Sequence, residues 1–168
     1  MTCAVARIRG HCRPAMTKAD LIETVRKELQ GSLDRLHRAA SEARAAATDP
    51  GSKAESKYDT RSLEASYLAS GQARQAQELG ESLRILDSWH PADFAPDAAI
   101  EAGAFVRVKI GGETSCFFLV PTAGGLEVVH DGEEVTLLSP ASSLYQKLSG
   151  LRAGDSLDAP PMTVSTVS

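Results

Sequence analysis

Leu137-Leu-Ser-Pro-Ala-Ser-Ser-Leu-Tyr-Gln-Lys-Leu-Ser-Gly-Leu-Arg-Ala-Gly-Asp-Ser156 is the stretch on which the reading of this chain turns. Its apolar start continues Glu134-Val-Thr and reads as the end of a strand. Ser139-Pro140 breaks that strand. Ser142 to Leu148 then carries a short helical pattern, with Pro140 and Ser142 at the helix start. Gly150 and Gly154 supply turn geometry, and Asp155 is placed to satisfy backbone donors in a turn. The predicted order is strand, turn, helix, turn, strand.

On the N-terminal side, Ala104-Phe-Val-Arg-Val-Lys-Ile110 alternates apolar and polar residues before Gly111-Gly112, the mark of a strand and a hairpin turn. Thr114-Ser-Cys-Phe-Phe-Leu-Val120 is the partner strand, and Cys116 among phenylalanines reads as core. Gly124-Gly125 punctuates, and two short strands, Leu126–Val129 and Glu134–Leu138, flank Asp131-Gly132. Met162 to Val167 makes a last strand. Residues 91–168 hold four Lys/Arg against ten Asp/Glu, a balance of −6. Such a module will not track a phosphate backbone but can dock on a basic protein surface.

Further back, the periodicity is helical. Ile22, Val25, Leu29, Leu33, Leu36, Ala40, Ala43 and Ala47 alternate spacings of three and four, one stripe along a helix opening near Met16. Thr17 and Asp20 offer a variant capping box. Thr48-Asp-Pro-Gly-Ser52 breaks the pattern, and Ala65, Leu68, Gln72, Ala76, Leu79, Leu83 and Leu86 line a second helix that ends at Trp89-His90-Pro91. Two helices of this length joined by a short turn predict an antiparallel hairpin projecting roughly 45 Å. Its narrow Ala/Leu stripe suits a two-stranded coiled coil, with Tyr58 and Tyr67 as packing residues. The domain reading is a hairpin over 16–88 with its tip near 48–58, a proline-bearing linker over 89–100 and a sheet module over 101–168. Trp89 and Phe94 pin the linker. Residues 1–15 read as a disordered or non-native extension, outside the fold.

Composition narrows the function. Net charge is −4, which argues against free duplex DNA as the main partner. No apolar run is long enough for a membrane span. Cys3, Cys12 and Cys116 are odd in number and unevenly spread, so they are no disulfide framework, and a reducing cytoplasm is the default. Cys3, His11 and Cys12 fall short of a four-ligand zinc set. His37, His90 and His130 sit on unrelated elements, with no nucleophile–base arrangement, P-loop or GxGxxG to carry a self-contained enzyme.

Two stretches resemble the bacterial GreA/GreB transcript cleavage factors. The first is the opening stretch, similar to the family's Ser-Pro-x-Ser-Pro-Leu, a short helix ending in Leu-x-Gly, and basic-x-Gly-Asp. It matches at Ser139, Pro140, Ser142, Leu144, Leu148, Gly150, Arg152, Gly154 and Asp155, and departs at Ser143, where the family has Pro. The second is Gly51-Ser-Lys-Ala-Glu-Ser-Lys-Tyr-Asp59, similar to the family's Gly-Asp-Leu-x-Glu-Asn tip, with Gly51 and Glu55 in register and Ser52 where the family has Asp. The resemblance spans 16–168 in the family's module order. It implies an α+β fold: an antiparallel coiled-coil hairpin followed by a small FKBP-like antiparallel β-sheet domain with one short helix.

The function it implies is a bacterial elongation factor that binds RNA polymerase at the secondary channel, a cytoplasmic monomer meeting nascent RNA and DNA only inside the elongation complex. Ser139, Pro140, Ser142, Leu144, Gly150, Arg152, Gly154 and Asp155 would belong to the partner-binding module, mainly as structural residues. The hairpin tip would reach the polymerase's active centre. The protein would need no cofactor of its own, only Mg²⁺ shared with the polymerase, because two-metal phosphodiester chemistry needs carboxylates to hold the second ion. Glu55 with Asp59, four residues apart on one helical face, or Glu55 with Asp49, are the candidate acids. Lys53 and Lys57 oppose metal capture beside them. Two alternatives remain: a channel competitor that does not stimulate cleavage, favoured by Ser52, and a coiled-coil interaction module with another partner.

Overall fold

The computed structural model describes residues 17–47 and 61–168. The elements run α1 (Lys18–Ala47), α2 (Arg61–Ser88), β1 (Phe105–Ile110), β2 (Glu113–Leu119), β3 (Glu127–His130), β4 (Glu133–Leu138), α3 (Ser143–Leu148), β5 (Ser156–Asp158) and β6 (Pro161–Val167). The fold is α+β, as the patterning predicts.

Helix α1 opens on the expected reciprocal cap. The Thr17 backbone N–H donates to Asp20 Oδ2 at 2.8 Å, and the Asp20 N–H donates back to Thr17 Oγ1 at 3.3 Å. The hydrogen bonds from Thr17 hold the Asp20 carboxyl below the usual range. The start of α1 lies beside the end of α2, where Arg26 Nη2 donates to the Leu86 carbonyl at 2.6 Å and Arg26 Nε sits 3.2 Å from Asp87. The two helices therefore pack side by side in opposite directions.

The six strands form one sheet in the order β3-β4-β2-β1-β6-β5. Four of the pairings are antiparallel, but β2 and β4 run parallel, with Cys116 beside Val135 and Leu119 beside Leu138. The sheet is thus mostly antiparallel rather than wholly so, because the chain from 120 to 132 returns through β3 before β4 joins β2. Strand β5 has no counterpart in the apolar patterning, since three residues with one half-buried leucine carry no alternation to read. The turns are legible: Gly111 and Gly112 adopt φ of +59° and +95°, and Asp131 and Gly132 +52° and +81°, the left-handed pair that two-residue hairpins require.

Each sheet face has its own core. On one, Leu21, Ile22, Val25 and Leu29 of α1 and Leu86 of α2 meet Phe105, Phe118, Val128, Val135 and Leu137. On the other, Ile100, Val106, Val108, Leu119, Met162 and Val164 pack with Leu148 of α3. The linker touches both: Trp89 lies 5.9 Å from Phe118 on the first face, and Phe94 packs on the second. The base of the helical pair is therefore held by the sheet as well as by the pairing of the helices.

Farther along, the predicted stripe loses its burial. Leu33 and Leu36 are half-buried, Ala40 and Ala43 exposed, and Leu68 is 65% exposed. Tyr67, read as a packing residue, is 72% exposed. Two helices whose seam is alanine on one side cannot enclose a leucine, and among the described residues no third layer reaches that level. Leu21→Ala is expected to cost about 2–5 kcal/mol, because the cavity opens between helix and sheet. Urea titrations followed in parallel by far-UV dichroism and Trp89 fluorescence check it, both signals moving to the same lower midpoint.

Candidate functional site

The predicted tip acids Asp49, Glu55 and Asp59 lie outside the described residues, as do Ser52, Lys53, Lys57 and Tyr58, and Cys3, His11 and Cys12 of the N-terminal cluster. The structure describes the other predicted site, the segment from Ser139 to Asp155, in full.

The segment leaves β4 through a tight crossing. Gly124 lies so close to Ser139 that a Cβ there would sit 2.3 Å from Ser139 Oγ and 2.8 Å from its backbone nitrogen. The Ser142 N–H donates to the Ser139 carbonyl at 2.8 Å, closing the turn at Pro140. Helix α3 follows with Ser142 at its N-cap position in extended backbone, but the hydroxyl makes no capping bond. The expected side-chain cap is absent, and Gln146 Nε2 instead donates to the Pro140 carbonyl at 3.1 Å, tying the helix to the turn. Leu144 is half-buried and packs on the second core.

Past α3 the motif residues hold chain to chain. Gly150, at φ +85°, donates to the Ile100 carbonyl, and Ile100 donates to Leu151, both at 2.8 Å. Gly154, at φ +94°, donates to Val164 at 2.9 Å. Asp155 does what its position predicts: its Oδ2 accepts from the Arg152 N–H at 2.8 Å, and its own N–H donates to the Arg152 carbonyl at 3.0 Å. The Arg152 guanidinium reaches across to the Asp97 carbonyl at 2.6 Å, anchoring the linker. Ser139, Pro140, Ser142, Leu144, Gly150, Arg152, Gly154 and Asp155 thus lie along one continuous turn–helix–turn between β4 and β5. Ser142 and Leu144 are half-buried, whereas Pro140, Ser143 and Arg152 are exposed.

A second polar group has no signal in the linear spacing. Arg107 on β1 donates from Nη2 and Nε to Glu133 Oε2 at 2.7 and 3.2 Å, and the Cys116 Sγ–H lies 3.6 Å from the same oxygen. The sheet register puts Arg107 opposite Cys116. The hydrogen bonds from Arg107 lower the Glu133 carboxyl, and those to Glu133 raise the Arg107 guanidinium. Burial, then the Glu133 charge, push the Cys116 thiol up. A thiol held protonated beside a carboxylate already paired with arginine is a poor nucleophile. The cluster clasps β1, β2 and β4 at the edge of a cleft of about 310 Å³ lined by Thr114, Glu127, Glu134 and Thr136 among others. His130 is buried beside Phe105, ring centroids 6.3 Å apart. Among the described residues no group of three or more His, Cys, Asp or Glu side chains could hold a metal ion, and no helix is long and apolar enough to cross a membrane.

Gly124→Ala is expected to cost about 1–3 kcal/mol, since the new methyl meets backbone as well as the Ser139 side chain; thermal melts measure it. The Arg107–Glu133 pair carries a pH signature. With its folded carboxyl below the unfolded value of about 4.3, Glu133 stabilises the fold above that value and loses the contribution as pH falls through the lowered one. Glu133→Gln should be less stable than the parent at neutral pH, and the gap should close as pH falls from about 5 towards 3. Urea midpoints across that range, with m-values compared, make the test.

No family model matches the chain, and no curated protein matches it. Among solved structures, the chain is similar to GreA factor homolog 1 (Gfh1) of Thermus thermophilus, at 24% identity over 85% of this chain and 94% of that one, with a TM-score of 0.33. It is similar to Gfh1 of Thermus aquaticus at 21% identity over 84% and 92%, with a TM-score of 0.33. A third likeness, to a structure of the transcription factor Gfh1, has 20% identity over 86% and 93% and a TM-score of 0.34.

Proposed function

We propose that this chain is a transcription elongation factor of the Gre type, which binds RNA polymerase at its secondary channel and regulates pausing or backtracking. The reading rests on the chain's own residues. The observation that carries it is the segment from Ser139 to Asp155, whose residue types match the family signature at its spacing and whose backbone runs as one ordered turn–helix–turn beside the sheet. A helical pair based on the sheet supplies the second part, a projecting element. The acidic balance of residues 91–168 suits a basic protein surface better than nucleic acid.

In this reading the protein is not an enzyme by itself. Glu55 and Asp59, with Asp49, are hard oxygen donors of the kind Mg²⁺ takes, and one or two carboxylates suffice for an ion that keeps most of its waters. Bound there, the ion would supply charge stabilisation for hydrolysis in the polymerase's own centre. Ser52, standing where the family has Asp, and the neighbouring Lys53 and Lys57 favour a second reading: occupancy of the channel without stimulated cleavage.

Backtracked RNA polymerase complexes carrying 3′-labelled RNA separate these outcomes on a gel. Release of short 3′ fragments, lost in Glu55→Ala and Asp59→Ala, assigns stimulated cleavage. Intact RNA, together with protection against an added cleavage factor, assigns the competitor, and Ser52→Asp is then expected to gain cleavage. A protein that neither releases fragments nor blocks the added factor overturns the proposal.

A further inference from the structure

Among the described residues strand β3 is an open edge of the sheet, and its two outward-facing residues carry a specific chemistry. The Leu137 N–H donates to the Leu126 carbonyl at 2.8 Å, and the register continues Glu127–Thr136, Val128–Val135, Val129–Glu134 and His130–Glu133. Bonded and non-bonded pairs alternate along an antiparallel ladder. Val128 and His130 therefore bond to β4, while the N–H and C=O groups of Glu127 and Val129 point away from it. The same two residues have exposed side chains, Val129 at 67%, whereas Val128 and His130 are buried on the opposite face under the helical pair.

Charge marks the occupant. Glu134 stands directly across from Val129, and Glu127 lies two residues away on the same face. Both are exposed, and among the described residues neither forms an ion pair. Arg107 lies on the other face of the sheet, with Phe105 and Cys116, and is spent on Glu133. The far edge differs. Strand β5 is three residues long and runs straight into Pro160 and Pro161, devices that blunt an edge. Strand β3, four residues long, contains no proline and runs into the Asp131-Gly132 turn. A second copy of β3 is a poor partner, because the ribbon would gather the glutamates of both chains.

We propose that β3 is a docking edge for an extended basic segment of a partner protein, which adds as a seventh strand. Its backbone bonds to Glu127 and Val129, a small aliphatic side chain covers Val129, and flanking lysines or arginines meet Glu127 and Glu134. This inference stands on the sheet edge alone and does not depend on the polymerase reading.

The probe is a fluorescein-labelled peptide with the core Lys-Thr-Val-Thr-Lys, followed by anisotropy with the full chain. Binding is expected, weakening with salt, with slower amide exchange at Glu127 and Val129. Glu127→Lys with Glu134→Lys should weaken it about tenfold or more, a loss of about 1.4 kcal/mol or greater. Val129→Pro removes an N–H that faces away from the sheet, so the fold should melt unchanged while binding is lost. N-methylation of the peptide's central valine should abolish binding too. Absence of binding, equal binding of a Glu-Thr-Val-Thr-Glu peptide, or indifference to the charge reversal or to Val129→Pro would each overturn the proposal.

Discussion

Phe118 has no exposed surface, and neither has Leu119 beside it, although consecutive strand residues point to opposite faces of the sheet. From Cys116 to Leu119, strand β2 is buried on both sides, so the sheet needs two covers. The base of the helical pair supplies one, through Leu21, Ile22, Val25, Leu29 and Leu86. Helix α3 and the segment ending at Ile100 supply the other. Each fully buried leucine or phenylalanine contributes about 1.5–3 kcal/mol, so both covers are required rather than decorative.

The family-like segment takes its place from that requirement. Leu148 fills the second core, and the turns on either side must then be tight enough to return the chain to β5. Gly150 and Gly154 sit at positive φ for this reason, and Asp155 caps the Arg152 amide to fix the turn. Residues that identify the signature are thus largely residues that close the core. What the turn–helix–turn leaves outside the core includes the exposed Pro140, Ser143 and Arg152.

The helical pair shows the same dependence in reverse. Its base is packed between helix and sheet, and its burial declines along α1 from Leu29 through Leu36 to Ala43. The alanine-rich seam lets two helices lie together without a thick core. Leu68 and Tyr67 are exposed as a result. Helical spacing alone cannot distinguish a buried stripe from an exposed one, because burial needs a second surface.

Local chemistry was legible in the chain. Threes and fours gave both helices, alternation gave β1 to β4 and β6, and the glycine pairs and Asp131-Gly132 marked turns, since backbone dihedrals and side-chain direction are set within a few residues. The spacing of Ser139 to Asp155 was legible for the same reason. Tertiary structure alone decided the parallel pairing of β2 with β4, the short edge strand β5 and the capture of the helix base by the sheet. It also decided the clasp of Arg107, Cys116 and Glu133, and the outward edge of Glu127 and Val129. Each joins residues far apart in sequence, and its energy comes from contacts that exist only once the chain has closed on itself.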